Sequence, residues 1–170
     1  EAVLKEGAGT TGSRVANGTY AAHRALERAF ADAYGTRHAM VFTTGYQANL
    51  GLISGLCGPD DTILLDLDSH ASIYDGAKLS GAQVFTFRHN SADDLAKKLK
   101  RLPTPQDCLV VVEGLYSIGG DVAPLREIVQ VCRNAGAYLM VDEAHSFGVY
   151  GPRGLGCAER WPGVFRGRLG

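Results

Sequence analysis

The chain is poor in the features that mark several common protein classes. Its charge is nearly balanced, 17 basic against 18 acidic residues for a formal net charge of −1, so it lacks the basic excess of a broad nucleic-acid footprint. A local site for a small anion needs no such excess. The four cysteines, Cys57, Cys108, Cys132 and Cys157, form no C-x-x-C pair, which argues against a zinc ribbon or a dithiol redox motif. They read as reduced, mostly buried thiols in a reducing compartment. No apolar run reaches membrane-spanning length, and no basic-then-apolar leader is expected. Lysine is scarce: Lys5, Lys78, Lys97, Lys98 and Lys100 are the five, and none is followed by Ser or Thr. The phosphate loop G-x-x-x-x-G-K-[ST] is therefore missing.

What remains is a chain of 170 residues with 45% apolar content, enough for one domain with a real core. Its 22 glycines punctuate short apolar runs. Residues 20–35 place Ala22, Leu26, Ala29, Phe30 and Ala33 on one face of a predicted helix ended by Gly35. Helices are also predicted over 45–58, 70–81, 90–102 and 124–136. In the third of these Asn90 is the expected N-cap, with acids in the first turns and lysines in the last. Strands are predicted over 38–42, 62–66, 83–87, 108–114 and 138–142. Short apolar strands alternating with helices imply a parallel sheet covered on both faces. The fold class is α/β, a three-layer αβα arrangement around a mainly parallel sheet.

In such sheets ligands sit beyond the carboxyl ends of the strands, and here those ends carry most of the unusual polar groups. The strand 138–141 runs into Asp142, Glu143 and His145. Strand-Asp-Glu-Ala-His also marks the Mg²⁺-holding strand of nucleotide-driven helicases, but that reading needs the missing phosphate loop. Two zinc ligands at i, i+3 without a second pair are weak. A turn-capping Asp142 with an incidental His145 stays open. Thr43-Thr44-Gly45-Tyr46 follows a strand and opens a helix, whose free N–H groups can hold a phosphate; a plain turn with Tyr46 packing is equally compatible. His70 stands at a strand exit and a helix start, as a cap or as a flat ring lying on another ring. Ser117 and Asp121 lie in a glycine-rich loop, and Asp121 reads as a turn acid. The stretch 7–20 is either a flexible loop or a cover over an anion.

Taken together, these groups suit pyridoxal phosphate. A carboxylate at the end of a buried strand holds the ring nitrogen protonated, a helix amino end takes the phosphate, and an imidazole covers the ring face. The protonated ring is an electron sink for a carbanion at an amino acid's α-carbon.

In chain order, "GSRVANGTY", "FTTGYQANLG", "DSHASIYDGAKLSGA", "FRHN", "EGLYSIGGDVAPL" and "VDEAHSFGVYGPRGLG" resemble the motifs of the α-oxoamine synthases. These are pyridoxal-phosphate enzymes of the aspartate-aminotransferase fold, fold type I, and the likeness runs from Gly7 to Gly156. It implies that Asp142 pairs with the pyridine nitrogen, His145 bonds the phenolic oxygen and His70 stacks on the ring and orients the substrate carboxylate. It further implies that Gly45 and Tyr46 lie at the phosphate and Ser117 on the ring-oxygen and phosphate side. The implied activity is a decarboxylating Claisen condensation of an amino acid with an acyl-CoA. The loops are most similar to bacterial members that join L-serine to palmitoyl-CoA, giving 3-ketodihydrosphingosine in the first step of sphingolipid synthesis. Glycine or alanine as the amino acid is the alternative within the family.

The resemblance also implies a homodimer in the cytoplasm, with peripheral membrane contact through the lipid substrate and no nucleic-acid partner. Residues 1–19 would be a glycine-rich leading segment, 20–156 part of the cofactor-binding large domain, and 157–170 a tail. The sequence opens on "EAVLKEG" without an initiator Met and departs from the family in two respects. No lysine stands where the family's covalent cofactor lysine is expected, and the small carboxy-terminal domain is missing. Truncation is the expected reason, which would leave a weak cofactor binder with no sound turnover. A lysine-less, catalytically dead binding subunit is the alternative.

Overall fold

The computed structural model describes residues 1–161. The chain divides into two units, Glu1–Val41 and the remainder from Phe42. The first holds helices α1 (Ala2–Glu6) and α2 (Ala21–Tyr34). Helix α2 forms as expected and ends on Gly35 at φ 65°, the left-handed position that glycine adopts without a Cβ clash. Its predicted face is corrected: Ala22, Leu26 and Ala29 are exposed, and Ala31 is the buried residue.

The strand predicted over 38–42 is absent. A strand needs a ladder partner, whereas here side chains take up Val41's backbone groups. Glu27 Oε1 accepts from Val41 N at 3.0 Å, and Arg14 Nη1 donates to Val41 O at 2.7 Å. Arg14 Nη2 also pairs with Glu27 Oε1 at 2.7 Å. Met40 is left 73% exposed.

The second unit is a three-layer αβα arrangement. Its elements run α3 (Gly45–Leu56), β1 (Thr62–Asp66), α4 (Ala71–Ser80), β2 (Gln83–Phe87), α5 (Ala92–Leu99), β3 (Cys108–Glu113), α6 (Leu125–Ala135) and β4 (Tyr138–Asp142). The four strands are parallel, in the order β2-β1-β3-β4. The chain leaves β1 to one side for β2 and returns past it to β3, so the topological switch lies between β1 and β3.

Strand side chains alternate between faces, and the core divides accordingly. Ile63, Leu65, Leu109 and Val111 pack with Ile53, Ile73 and Ala77 of α3 and α4. Leu64, Val110 and Val112 pack with Leu95 and Leu99 of α5 and Ile128 and Cys132 of α6. Each fully buried Leu, Ile or Val is worth about 1.5–3 kcal/mol relative to exposure, which explains why the two central strands are almost wholly apolar. The expected covering of both faces holds for those two strands. The edge strand β2 buries only Phe87 and exposes Gln83, Val84 and Phe85.

Two local departures have clear causes. Asn90 does not cap α5: it sits at φ 52° with its amide bonded to Asp121, and Ser91 Oγ caps instead, accepting from Asp94 N at 3.2 Å. Cys157–Arg160 forms a 3-10 turn, and the tail 162–170 lies outside the described residues. Among the described residues no helix is long and apolar enough to cross a membrane.

Candidate active site

Parallel strands bring their carboxyl ends to one rim, and three acids stand there: Asp66 on β1, Glu113 on β3 and Asp142 on β4. Glu113 and Asp142 are register partners, so two carboxylates are neighbours. Burial pushes the Glu113 carboxyl above its ordinary range and the charge of Asp142 adds to this, while backbone N–H groups of His70 and Ser117 pull the other way. A rim of this sign favours a cation between its acids.

Asp142 is half-buried and held from two sides. Its Oδ1 accepts from Ala144 N at 2.9 Å and its Oδ2 from Asn49 Nδ2 at 2.7 Å. The same Asn49 nitrogen reaches Ser72 Oγ at 2.9 Å, and Ser72 Oγ lies 2.7 Å from His70 Nδ1. His70 is the N-cap of α4, with its Nδ1 also accepting from Ser72 N at 3.2 Å. Its own backbone N–H donates to Glu113 Oε1 at 2.6 Å, spanning the switch between β1 and β3. The imidazole is exposed and meets the ring of Tyr46 edge-on, with centroids 6.4 Å apart.

Gly45 and Tyr46 open α3 behind the Thr44 cap, whose hydroxyl accepts from Gln47 N at 3.1 Å. A Cβ on Gly45 would meet nothing within 4 Å, so the helix amino end is open. The Tyr46 hydroxyl bonds Asp75 of α4, which raises its pKa above the ordinary 10.0. The first backbone amides of α3 have no intrahelical acceptor and are open to an anion.

The structure thus joins Asp142, His70 and Tyr46 in one array. It does not bond Ser117 or His145 to them. Ser117 is exposed in the 116–120 turn of the loop after β3, and His145 is exposed in the turns after β4. Asn49, Ser72 and Glu113 were missed as site residues by the sequence reading. Asn49 and Ser72 sit inside helices, where a polar residue gives no signal until its buried partner is known. Glu143, the second acid after β4, faces away from this array. Its carboxylate accepts from Ser146 Oγ, from Cys157 N at 3.0 Å and from Ala158 N at 2.7 Å, capping the 3-10 turn.

No lysine of the second unit stands at the rim. Lys78 lies in the last turn of α4, Lys97 and Lys98 in the last turn of α5, and Lys100 is its C-cap. Both helices return the chain from a strand's carboxyl end to the next strand's amino end, so their last turns lie at the opposite edge of the sheet. The rim therefore offers a carboxylate for a ring cation, a flat imidazole and a helix amino end for an anion.

The pattern of the aminotransferase class I and II family matches residues 1–164. The chain belongs to that family. Within these aminotransferase-family proteins it is 59% identical over 160 residues to a serine palmitoyltransferase of Caulobacter vibrioides, covering 94% of this chain and 40% of the relative. It is 47% identical over 159 residues to an 8-amino-7-oxononanoate synthase of Anaeromyxobacter, covering 94% and 40%. A Lys→Ala variant of serine palmitoyltransferase from Sphingomonas paucimobilis, solved with a bound PLP–myriocin aldimine, superposes with a TM-score of 0.89 at 54% identity, covering 93% of this chain and 40% of that one. The chain thus spans about 40% of the length of the relatives it matches. Both relatives are α-oxoamine synthases, in agreement with the resemblance carried by the motifs, and the αβα fold with its parallel sheet is the one expected.

Proposed function

We propose that this chain is the cofactor-holding portion of a pyridoxal-phosphate-dependent acyltransferase. The enzyme condenses L-serine with a long-chain acyl-CoA, palmitoyl-CoA, with loss of CO₂, and gives 3-ketodihydrosphingosine. The observation that carries this reading is the Asp142 carboxylate, fixed at the end of β4 by Asn49 and Ala144 and joined through Ser72 to His70. The 59% identity to the Caulobacter serine palmitoyltransferase favours serine over the alanine or glycine of related synthases.

The residues present fit the non-covalent half of such a site. When bound, pyridoxal phosphate supplies an electron sink for a carbanion at the amino acid's α-carbon. Asp142 holds a proton at the pyridine nitrogen, since opposite charge favours the pyridinium. Each of its oxygens accepts one N–H and keeps a lone pair. His70 would cover the ring face, with Nε2 available to the substrate carboxylate. The amides of Gly45 and Tyr46 hold the phosphate. Ser117 and His145 serve the phenolic-oxygen side. A homodimer, a cytoplasmic location and peripheral contact with membranes belong to the same reading, as does the assignment of 20–156 to the cofactor-binding portion.

The full-length protein is titrated with pyridoxal phosphate, following quenching of its fluorescence, and then with amino acids. Binding followed by a visible spectral change with L-serine alone supports the proposal. A change with glycine or L-alanine instead moves the protein to another branch of the α-oxoamine synthases. Binding without absorbance of a covalently held cofactor supports the lysine-less binding subunit. No binding at all overturns the cofactor reading.

A further inference from the structure

Asn49 lies within α3 and is 7% exposed, and Ser72, two residues into α4, is 1% exposed. Both hydrogens of the Asn49 amide are committed, one to Asp142 Oδ2 at 2.7 Å and one to Ser72 Oγ at 2.9 Å. The reverse amide orientation would set its oxygen against the carboxylate, acceptor against acceptor, so Asp142 fixes which way Asn49 faces. Ser72 Oγ then accepts from Asn49; a hydroxyl oxygen could accept from an Nδ1–H as well, and the Ser72 backbone N–H decides against that. His70 Nδ1, at 2.7 Å, is the acceptor in reach, and the Ser72 backbone N–H points at the same nitrogen from 3.2 Å. A nitrogen facing two donors cannot carry a hydrogen.

We propose that Asn49 is a positioning residue. Through Ser72 it sets the tautomer of His70, so that Nδ1 is the buried acceptor and Nε2–H is the donor presented at the exposed rim. The chain of donation runs from Asn49 outward, to Asp142 on one side and through Ser72 to His70 on the other. Orientation of the strand-end carboxylate and the tautomer of the rim imidazole are thereby set by one amide. The ligand chemistry this selects at His70 is a hydrogen-bond acceptor, which on the proposed reading is the substrate carboxylate. The hydrogen-bond logic stands on the protein alone; its meaning for catalysis rests on the pyridoxal-phosphate reading.

The test uses protein labelled with ¹⁵N-histidine and free of cofactor, with the His70 resonances assigned by their loss in His70→Gln. Wild type is expected to show only the Nε2–H pattern in long-range ¹H–¹⁵N spectra. Asn49→Asp replaces the donor to Ser72 by an acceptor, turns the hydroxyl round and shifts His70 toward Nδ1–H. Ser72→Ala, which keeps the fold if the charged variant does not, removes the hydroxyl donor and leaves the backbone N–H alone at Nδ1, so a minor Nδ1–H population appears beside the Nε2–H form. Both variants are also expected to bind pyridoxal phosphate roughly tenfold or more weakly, the size of a lost hydrogen bond to a charged network. An unchanged Nε2–H pattern in both variants overturns the proposal whatever the cofactor does. A shifted tautomer in a protein that never binds pyridoxal phosphate upholds the relay and overturns the cofactor reading instead.

Discussion

The imidazole of His89 is held between two carboxylates, Nδ1 2.7 Å from Asp66 Oδ1 and Nε2 2.8 Å from Asp121 Oδ2. A neutral imidazole has one N–H, so both bonds form only with the imidazolium. Asp66 is fully buried and also accepts from Asn90 N at 2.8 Å and Asp68 N at 3.0 Å. The ring edge of Tyr116 completes the setting, with centroids 4.5 Å apart. The clamp ties the ends of β1 and β2 to the glycine-rich loop after β3.

Burial disfavours the His89 cation, but the hydrogen bonds and charges of Asp66 and Asp121 outweigh it and raise its pKa above the ordinary 6.5. Its contribution to stability is therefore complete below the unfolded-state value and is lost as pH rises through the folded one. Asp121, held below its ordinary 3.8 mainly by the bond to His89, contributes above its unfolded value and fails as pH falls through the folded one. Denaturant midpoints should decline from pH 6 upward in wild type. His89→Gln should lower the unfolding free energy at pH 6 by about 1–3 kcal/mol, the cost of an unmatched buried acceptor, and flatten the alkaline decline. An equally steep decline in the variant would assign it to other groups.

Asp142→Asn keeps the shape and removes the charge. In the full-length protein pyridoxal phosphate should then bind more weakly, and exchange of an amino acid's α-hydrogen, followed by NMR in D₂O, should drop by orders of magnitude, because on the proposed reading the ring nitrogen loses the anion that would keep it protonated. Undiminished exchange would remove Asp142 from the mechanism.

Gly76 lets α4 approach α3. A Cβ there would stand 2.9 Å from Asn49 O and 3.2 Å from Ile53 Cδ1. Helix propensity alone favours Gly76→Ala by about 1 kcal/mol. The close approach predicts the opposite sign, with a lowered Tm and weaker cofactor binding as the Asn49–Ser72 and Tyr46–Asp75 bonds stretch. Thermal unfolding decides between the two.

The thiols should be unreactive while the protein is folded. Burial pushes Cys57 up to about 11 and Cys108 and Cys132 to about 12, and Cys157 is raised by the same cause. Thiolate, the reactive form, is then scarce at neutral pH. A disulfide reagent should modify the native protein slowly, with half-buried Cys57 first, and all four at once after denaturation.

Much of this protein is legible in its sequence because the signals are local. Alternating apolar runs and glycine stops identify all eight elements of the second unit, from α3 to β4. The same reading puts Asp142, His70, Gly45 and Tyr46 at strand and helix ends, where chemistry gathers in parallel sheets. It erred where a partner from afar decided the outcome. Residues 38–42 look like a strand, but Glu27 and Arg14 capture Val41. Asn90 looks like a helix cap, but Asp121 draws it away.

Tertiary structure alone selected the strand order β2-β1-β3-β4, the division of labour between Asp142 and Glu143, and the Asn49 relay. The bond from Asn49 to Asp142 joins positions 93 apart in the chain and that from His70 to Glu113 positions 43 apart. Periodicity and capping act over a few residues, whereas the partner of a buried polar group is settled only when the whole chain has packed and water has been excluded from it.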